Sequence, residues 1–476
     1  MKTKNIQNLD NYSGTLLIPV FETYENSLVP IEFHGVTVSS KVFYGKKDSL
    51  YLVEKYDCTH VFIGLGKTID YKSLKTIFRR IASKHATLFK KNTALVLPEL
   101  FSNNQIEASI SGLLLGTYNL GHFKKKEQHL LLNDDFELDI LSKKDTSEIL
   151  NKGIKIAHAQ LEVLHMVDLP PNTITPKYLS NWATTTGSKY GFTTEIFGMQ
   201  TCIDKGLEAF ISVGKGSEKE PQFVIMNYVP EVNDAKTKHI GLVGKGITFD
   251  TGGLNIKVAG MVHMKCDMAG GAAVFGAMQL ISDLKLPVKV TAIVPCCENS
   301  VDSKSFLPSD VIKSYSGHTI EIIDTDAEGR LILADGLSYL IKNFKPDTII
   351  DIATLTGSSV GTFGYECGAL FTNNDEIANK LQQFGDAIGE RLWPLPLWDA
   401  YKSDIESDIA DVKNYSGKPV AGAISAAKFL EFFTEEHTSW AHLDIAGVAF
   451  GDDEFAKSKH ATAYGVHLLT KFIENI

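Results

Sequence analysis

The sequence has few of the features that mark secreted, membrane-bound or zinc-finger proteins. Its 476 residues include only six cysteines, none in a CxxC pair or at zinc-finger spacing, which is typical of reduced thiols in a cytosolic protein. No apolar run approaches the ~18 residues of a membrane-spanning helix. The first residues are polar, and the apolar run after them is too short for a secretory signal. We therefore expect a soluble, cytoplasmic protein without a membrane partner.

Positive charge is also scarce. The chain carries 47 Lys and Arg against 57 Asp and Glu, a formal net charge of −10. Because nucleic acids and anionic membranes attract basic surfaces, neither is expected to be the main partner. With 44% hydrophobic and 22% charged residues, the composition is that of a globular protein, and the length fits roughly two to four domains.

Three common enzyme motifs are missing. Gly244, Lys245 and Gly246 lack the third glycine of a dinucleotide-binding fingerprint, and the residues after them favour a strand where a helix should begin. The Gly-Lys pairs at 214–215 and 244–245 lack the upstream glycine of a P-loop, and none of the 14 histidines belongs to an HExxH motif. These motifs therefore do not explain the function.

The chain divides into two regions of alternating strands and helices, 1–145 and 146–476. In the first, apolar runs predict strands at 14–21, 49–53, 61–65 and 94–97, and helical patterns at 71–91 and 106–120. This alternation indicates a small α/β domain with a mainly parallel sheet. We find no catalytic motif in it and expect a role in assembly or as a lid.

The second region begins with a connector helix. Apolar residues from Leu150 to Leu164 recur at steps of three and four, which predicts an amphipathic helix over 146–165. Two prolines stop this helix, and Thr175 and Pro176 predict the N-cap and first turn of the next. Further strands are expected at 209–213, 222–228, 239–243, 288–294, 319–323 and 348–353.

Acidic residues directly follow one of these strands. The expected strand 319–323 runs into Asp324, Asp326 and Glu328, and a helical pattern begins by Arg330. In open α/β sheets, ligands bind at the carboxyl ends of strands. Three acids within five residues repel one another unless a cation or protons compensate. This turn is therefore a candidate metal site or, alternatively, a solvated acidic turn.

Residues 324–335 also nearly match the calcium-binding loop of an EF-hand, with Asp335 at its twelfth position. The segment before this loop alternates as a strand does, and the following helix begins inside the loop rather than after it. Both features argue against an EF-hand.

More charged residues lie after the expected strand 239–243. Glycines flank both Lys245 and Asp250, Lys257 lies seven residues beyond Asp250, and Asp267 precedes an apolar helix. Taken singly, Asp267 is explained as a helix cap, and Lys245 and Lys257 as surface residues. Together, four acids and two lysines at strand and helix ends suggest a pair of metal ions bridged by carboxylates.

Residues 324–331 (DTDAEGRL) resemble the signature of the leucyl aminopeptidase family, the cytosol aminopeptidases of peptidase family M17. Six further stretches are similar to that family in the same order: 214–217, 243–257, 264–273, 295–299, 353–357 and 440–447. The resemblance covers residues 165–476 and is weak over the first 145. It implies a metal-dependent aminopeptidase that forms a homohexamer. It also implies a smaller N-terminal α/β domain and a larger C-terminal α/β/α catalytic domain with a mixed, mainly parallel central sheet.

The resemblance further implies a set of metal ligands and catalytic residues. The tightly held ion would be bound by Lys245, Asp250, Asp267 and Glu328, and the exchangeable ion by Asp250, Asp326 and Glu328. Lys257 would stabilise the oxyanion, and Arg330 would hold a bicarbonate that acts as general base. Lys245 can be a ligand only as a neutral amine. The ligand chemistry leaves zinc and manganese open, with magnesium as a third candidate.

A substrate pocket is implied in the same way. Its residues would be Lys257, Met264, Asp267, Thr354, Leu355, Gly357 and Ala461. Because a methionine adapts to several apolar shapes, we expect broad specificity with leucine and methionine preferred. Met264 could instead be simple core packing beside Asp267. The loop 258–263 is one residue shorter than is common in the family, and a narrower pocket would favour smaller side chains such as alanine.

Two other functions remain open. One is a non-catalytic scaffold or DNA-binding relative of the family, against which the intact ligand positions argue. The other is a dinuclear hydrolase of phosphate esters. Parallel assays on peptides, phosphate esters and DNA separate the three.

Overall fold

The structure is a computed structural model that describes residues 1–23, 29–55, 57–125 and 128–476. The chain forms two compact units, Met1–Leu161 and Glu162–Ile476. The domain division at residue 145 inferred from the sequence stays a prediction. Within the described ranges, no helix combines the length and apolar character needed to cross a membrane.

The first unit is built on a six-stranded sheet in the order β1-β8-β7-β2-β6-β5. The strands of the unit are β1 Lys2–Ile6, β2 Gly14–Val20, β3 Ile31–Phe33, β4 Val36–Val38, β5 Leu50–Lys55, β6 Cys58–Gly64, β7 Thr93–Val96 and β8 Glu137–Leu141. Its helices are α1 Tyr71–Lys84 and α2 Asn103–Leu115, with 3-10 turns at Ala86–Leu88 and Leu130–Leu132. Every pairing in the sheet is parallel except that of β5 with β6. The expected α/β fold with a mainly parallel sheet is confirmed.

Local sequence accounts for these helices. The Asp70 side chain accepts a hydrogen bond from Ser73 N and so caps α1, and Ser102 and Gln105 form a capping box at the start of α2. Gly112 of α2 faces the carbonyl oxygen of Lys75, where an added Cβ would lie only 2.4 Å away. The two helices can therefore pack closely against each other.

The connector helix, α3, extends over Ser147–Asp168, close to the range expected from its periodicity. The next helix, α4 (Pro176–Tyr190), has Thr175 as its N-cap and proline in its first turn, as expected. It ends at Gly191, whose φ of 94° is in the left-handed region that favours glycine.

The second unit contains the remaining elements. Its strands are β9 Thr193–Phe197, β10 Gln222–Tyr228, β11 His239–Gly244, β12 Gly246–Asp250, β13 Lys289–Asn299, β14 Val311–Lys313, β15 Thr319–Glu321, β16 Thr348–Ala353, β17 Gly368–Thr372, β18 Leu392–Pro394, β19 Val412–Lys413, β20 Trp440–Asp444, β21 Phe450–Gly451 and β22 His460–Ala461. Its further helices are α5 Met199–Lys205, α6 Glu208–Gly214, α7 Ala269–Asp283, α8 Gly329–Phe344, α9 Gly357–Phe363, α10 Asp375–Ile388, α11 Gly422–Phe432 and α12 Val466–Glu474, with 3-10 helices at Met261–Cys266 and Asp399–Asp404.

The central sheet has the order β18-β17-β20-β16-β11-β13-β10-β9, with β12 beside the end of β13. Its middle strands β20, β16, β11 and β13 are parallel, whereas β9 and β10 at one side and the β17–β20 pairing at the other are antiparallel. Gly244 of β11 meets Gly271 of α7, and Gly241 meets Leu340 of α8. Because residues 241 and 244 point to opposite faces of a strand, these helices cover both faces. The expected mixed, mainly parallel sheet in an α/β/α arrangement is confirmed.

Two expectations need correction. Residues 209–213 lie in helix α6 and not in a strand; all of them are buried, so the segment reads as a continuous apolar run that suits either structure. The strand before the acidic turn, β15, belongs to a separate three-stranded sheet with β14 and β19. The acidic turn therefore does not follow a strand of the central sheet but a strand of this smaller sheet. Helix α8 begins at Gly329, inside the EF-hand-like segment, which argues against a calcium loop.

Candidate metal centre

The predicted ligands come from four separate segments of the second unit. Lys245 lies between β11 and β12, Asp250 ends β12, Asp267 precedes α7, and Asp326 and Glu328 lie on the turn before α8. Four of these side chains are buried, and only Asp326 keeps about one third of its side-chain surface exposed. Burial on this scale is unusual for charged residues unless they are paired or bind a cation.

Glycines allow these segments to approach. A Cβ at Gly270 of α7 would lie 2.2 Å from the carbonyl oxygen of Ile352, and one at Gly329 would lie 2.5 Å from Cε of Lys245. The backbone N–H of Gly271 donates to the carbonyl of Lys245 at 2.7 Å. The first turn of α7, and with it Asp267, is thereby held directly against β11 and β16.

Two lysines contact the carboxylates. Lys245 Nζ lies 2.8 Å from both Asp267 Oδ2 and Glu328 Oε1. Lys257 Nζ lies 2.8 Å from Asp250 Oδ2 and 2.5 Å from Asp326 Oδ1. The structure thus brings together all five predicted metal ligands and the predicted catalytic lysine.

Two buried carboxylate oxygens at the centre, Asp267 Oδ2 and Glu328 Oε1, have the Lys245 ammonium as their common ion-pair partner, at 2.8 Å from each. One oxygen each of Asp250, Asp326 and Glu328 also lie within 4.8 Å of one another. Buried carboxylates that outnumber the cations between them, here four acids against two lysines, suit divalent metal ions with oxygen ligands. The residues present therefore fit a metal site.

The crowding of acids is visible in their proton affinities. Burial, with the nearby charges of Asp250 and Glu328, raises the pKa of Asp326 to about 7, and burial with Asp250 raises the pKa of Glu328. Burial alone would lower the pKa of Lys245, but the carboxylates around it outweigh burial and raise that pKa. The cluster therefore needs additional positive charge if all of its acids are to be ionised.

Arg330 lies beside this cluster in a cavity of about 460 Å³. Its Nη1 donates to the carbonyl oxygen of Asn414 at 2.7 Å, whereas its buried Nε finds no hydrogen-bond partner among the residues that the structure describes. Burial lowers the pKa of Arg330 to about 10, so the guanidinium remains charged at neutral pH. Lys257, Leu355 and Gly357 line the same cavity. A buried cation with a free donor at a cavity suits an anionic ligand.

The other predicted pocket residues lie elsewhere around the centre. Met264 is half-buried on the 3-10 helix Met261–Cys266, and its carbonyl accepts a hydrogen bond from the backbone N–H of Asp267 at 3.3 Å. Thr354 donates its hydroxyl to Asp267 Oδ1 at 2.8 Å. Ala461 is fully buried on β22, outside the residues that line the cavity. Its role in substrate binding stays a prediction.

Two asparagines were missed by sequence reasoning. Asn299 donates to Asp250 Oδ1 at 2.8 Å and to the carbonyl of Thr325 at 3.2 Å. Asn414 is fully buried; its side chain donates to the carbonyl of Asp324 and accepts from the backbone of Ile323. Asn299 lies in a stretch similar to the family, but no local pattern marks Asn414.

Known proteins are similar to this chain in sequence and fold. The model of the cytosol aminopeptidase family, catalytic domain, matches residues 163–470. A probable cytosol aminopeptidase of Chloroherpeton thalassium is 42% identical over 79% of this chain and 73% of its own length. A second from Chlorobaculum parvum is 44% identical over 68% of this chain, which spans 64% of that relative. A cytosol aminopeptidase of Buchnera aphidicola is 37% identical over 87% of this chain and 84% of its own.

Among solved structures, the bottromycin maturation enzyme BotP in complex with Mn shares the fold with a TM-score of 0.85. It is 25% identical, and the match covers 97% of this chain and 99% of BotP. The family model spans well over half of the chain, and relatives about 40% identical cover more than two thirds of it. This chain therefore belongs to the cytosol aminopeptidase family, peptidase family M17, and is a hydrolase of the metallo-aminopeptidase type.

Proposed function

We propose that the protein releases the N-terminal residue from peptides at a centre of two divalent metal ions. The observation that carries the proposal is the excess of acids at the centre, where four carboxylates (Asp250, Asp267, Asp326 and Glu328) surround only two lysines, Lys245 and Lys257. Three of these acids are buried, and one oxygen each of Asp250, Asp326 and Glu328 lie within 4.8 Å of one another. Such an arrangement is costly unless cations compensate it.

The resemblance to the family suggests a set of ligands for each ion. One ion would be held by Lys245, Asp250, Asp267 and Glu328, and the exchangeable one by Asp250, Glu328 and the carboxylate and carbonyl of Asp326. Zinc and manganese both suit this donor set, and magnesium is the third candidate. BotP, the structural relative, was solved with Mn. When bound, such ions supply a water nucleophile at neutral pH and polarise the carbonyl that is attacked.

The protein's own residues orient the substrate around these ions. Lys257 lines the cavity with a partly exposed ammonium, so it can donate to the scissile carbonyl as negative charge develops. Asp267 would accept a hydrogen bond from the free amine of the substrate, which restricts cleavage to N-terminal residues. Arg330, with an unpartnered buried Nε, would hold a bicarbonate that accepts the proton of the attacking water.

Leucine and methionine are the proposed side-chain preferences, with broad tolerance. Met264 lies on the 3-10 helix that Asp267 caps at its C-terminal end, so its side chain is close to the proposed metal centre in sequence. Tolerance is expected to be broad because an apolar pocket discriminates by only about 1–3 kcal/mol per methylene. We also propose that the enzyme is cytoplasmic, in keeping with six cysteines that are all free, and that it works as a homohexamer.

Metal removal tests the proposal. Hydrolysis of leucine anilide and of Leu-Gly should disappear after prolonged dialysis against EDTA and return with Zn²⁺ or Mn²⁺. Parallel assays on phosphate esters, and a gel shift with DNA at stated salt, should remain negative. Peptidase activity that survives complete removal of divalent metal would contradict the metal mechanism.

A further inference from the structure

A buried carboxylate outside the predicted site supports the loop beside it. Asp444 ends β20, is 1% exposed and stands in register with Ala353, the last residue of β16. Its Oδ1 accepts hydrogen bonds from the backbone N–H groups of Leu355 at 3.1 Å and of Ala446 at 3.2 Å. Its Oδ2 accepts the hydroxyl of Thr356 at 2.6 Å. One side chain thus fixes both the backbone and a side chain of the loop after β16.

That loop contacts two of the candidate metal ligands. The carbonyl oxygen of Thr354 accepts a hydrogen bond from Lys245 Nζ at 3.0 Å. The hydroxyl of Thr354 donates to Asp267 Oδ1 at 2.8 Å. This second bond occupies one oxygen of Asp267 and leaves the other, Oδ2, facing Lys245 Nζ at 2.8 Å in the centre. Thr354 therefore sets the orientation of both side chains.

We propose that Asp444 is a positioning residue for the metal centre. By fixing Leu355 and Thr356 it holds Thr354 where its carbonyl and hydroxyl orient Lys245 and Asp267 for metal binding. The inference rests on the proposed function, because it assumes that these two side chains are ligands. Partners that orient metal ligands typically contribute about 10–100-fold to metal affinity.

The chain offers a matched control on the neighbouring strand. Asp351 of β16 is also fully buried and binds side chains of β20, the indole Nε1 of Trp440 at 2.7 Å and the ring Nδ1 of His442 at 2.5 Å. These hydrogen bonds do not involve the loop after β16. Loss of Asp351 should therefore lower stability without reorienting the ligands.

The experiment measures the affinity of the metal-stripped chain for Mn²⁺ by titration calorimetry, together with the thermal unfolding midpoint. We expect Asp444→Ala and Thr354→Val to weaken Mn²⁺ binding by about 10–100-fold. Asp351→Ala should keep the wild-type affinity at a lowered unfolding midpoint. Asp444→Asn should lose less affinity than Asp444→Ala, because its amide oxygen still accepts from Leu355 and its NH2 can donate to the Thr356 hydroxyl.

The outcomes separate this inference from the proposed function. Wild-type affinity in a folded Asp444→Ala or Thr354→Val variant, or an equal loss in Asp351→Ala, would overturn the positioning role alone. If Asp444→Ala does not fold, the Mn²⁺ affinity of Thr354→Val tests the positioning role instead. That variant removes only the hydroxyl that donates to Asp267 and should remain folded. A wild-type chain that binds Mn²⁺ but cleaves no peptide would overturn the proposed function and leave the positioning role standing. A chain that binds no divalent metal would overturn both.

Discussion

The two lysines of the metal centre differ in what surrounds them. Lys245 is buried among Asp267, Glu328 and the carbonyl of Thr354. Its side chain packs so closely on Gly329 that a Cβ added there would lie 2.5 Å from Lys245 Cε. Lys257 is 19% exposed and reaches the cavity. Burial opposes the charge on Lys257, but Asp250 and Glu328 outweigh burial and raise its pKa. Lys257 is therefore placed to act as a charged donor toward the cavity, whereas Lys245 is enclosed by the acids and would become a ligand only after losing its proton to an arriving metal ion.

This difference predicts the effect of removing Lys257. In Lys257→Ala we expect kcat for leucine anilide to fall about 10²–10³-fold, the usual loss for a donor to a developing oxyanion. The unfolding midpoint is measured alongside, because Lys257 also pairs with Asp250 and Asp326. Lys285→Ala serves as control, because Lys285 pairs with Glu231 on the surface. A kcat for Lys257→Ala within threefold of wild type would exclude the proposed role.

A second prediction at this scale concerns the substrate side chain. Met264→Ala should lower kcat/KM for leucine and methionine anilides relative to alanine anilide by about tenfold or more, since apolar contacts are lost. Met261→Ala, a half-buried methionine on the same 3-10 helix, should not. An unchanged order of preference among Leu, Met, Ala, Gly and Asp anilides would mean that Met264 does not shape the pocket. A preference for Asp would mean that the pocket is assigned wrongly.

Helix α7 depends on a close approach to the central sheet. Gly270 lies against the backbone of Ile352 and Ala353 in β16, and backbone atoms cannot move aside as a side chain can. Alanine is otherwise favoured over glycine in a helix by about 1 kcal/mol. Any loss of stability in Gly270→Ala must therefore come from the contact with β16.

We expect Gly270→Ala to lower the free energy of unfolding by about 1–3 kcal/mol and to weaken Mn²⁺ binding, since Asp267 precedes this helix. Gly361→Ala is the matched control: this residue lies in α9, with open space around its Cβ position. It should be neutral or stabilising by up to about 1 kcal/mol. The free energy of unfolding of both variants, measured with and without Mn²⁺, tests this difference. Equal stability of the two would mean that α7 can shift away from the sheet.

Helix α8 is joined to two neighbouring segments through one buried acid. The oxygens of Asp335 accept backbone hydrogen bonds from Phe210 at 2.9 Å and Tyr315 at 2.7 Å. Burial raises the pKa of Asp335 to about 7, although these hydrogen bonds oppose the rise. A raised carboxyl pKa means that the native state holds the proton more tightly than the unfolded state does. Its contribution to stability is therefore lost as the pH rises from about 4 to about 7.

The expected difference is measurable. Between pH 5 and pH 8, wild-type stability should fall by about 3 kcal/mol more than that of Asp335→Asn, at about 1.36 kcal/mol per pKa unit. Asp408→Asn, on the exposed surface, should behave as wild type. Denaturant unfolding across this pH range gives the comparison. Parallel pH profiles for wild type and Asp335→Asn would show that Asp335 does not titrate in this window.

At the scale of the whole molecule, the proposed homohexamer can be tested directly. The second unit exposes large apolar side chains, among them Trp393, Trp398 and Ile409, which an assembly would cover. Light scattering at micromolar concentration should give six times the chain mass of 52.3 kDa. A stable monomer would contradict the proposal.

What the sequence by itself determined is mostly local. The spacing of Asp324, Asp326 and Glu328 before a helix, the caps at Thr175 and Pro176, and the apolar periodicity of α3 depend on neighbours a few residues away. The order of motifs along the chain was enough for the family and the kind of chemistry. The helix α6 was misread, because a fully buried segment shows no alternation to distinguish helix from strand.

Tertiary structure decided which of these residues meet. Lys245 and Thr354 are 109 residues apart, Asp267 and Thr354 are 87 apart, and Arg330 and Asn414 are 84 apart, yet each pair is hydrogen-bonded. The pairing of β11 with β16 and of β15 with β19, together with the packing of α7 against β11 and β16, brings such residues together. The roles of Asn414 and Asp444 follow from contacts of this kind. They could not be read locally, because a buried polar side chain is defined by partners that lie far away in the chain.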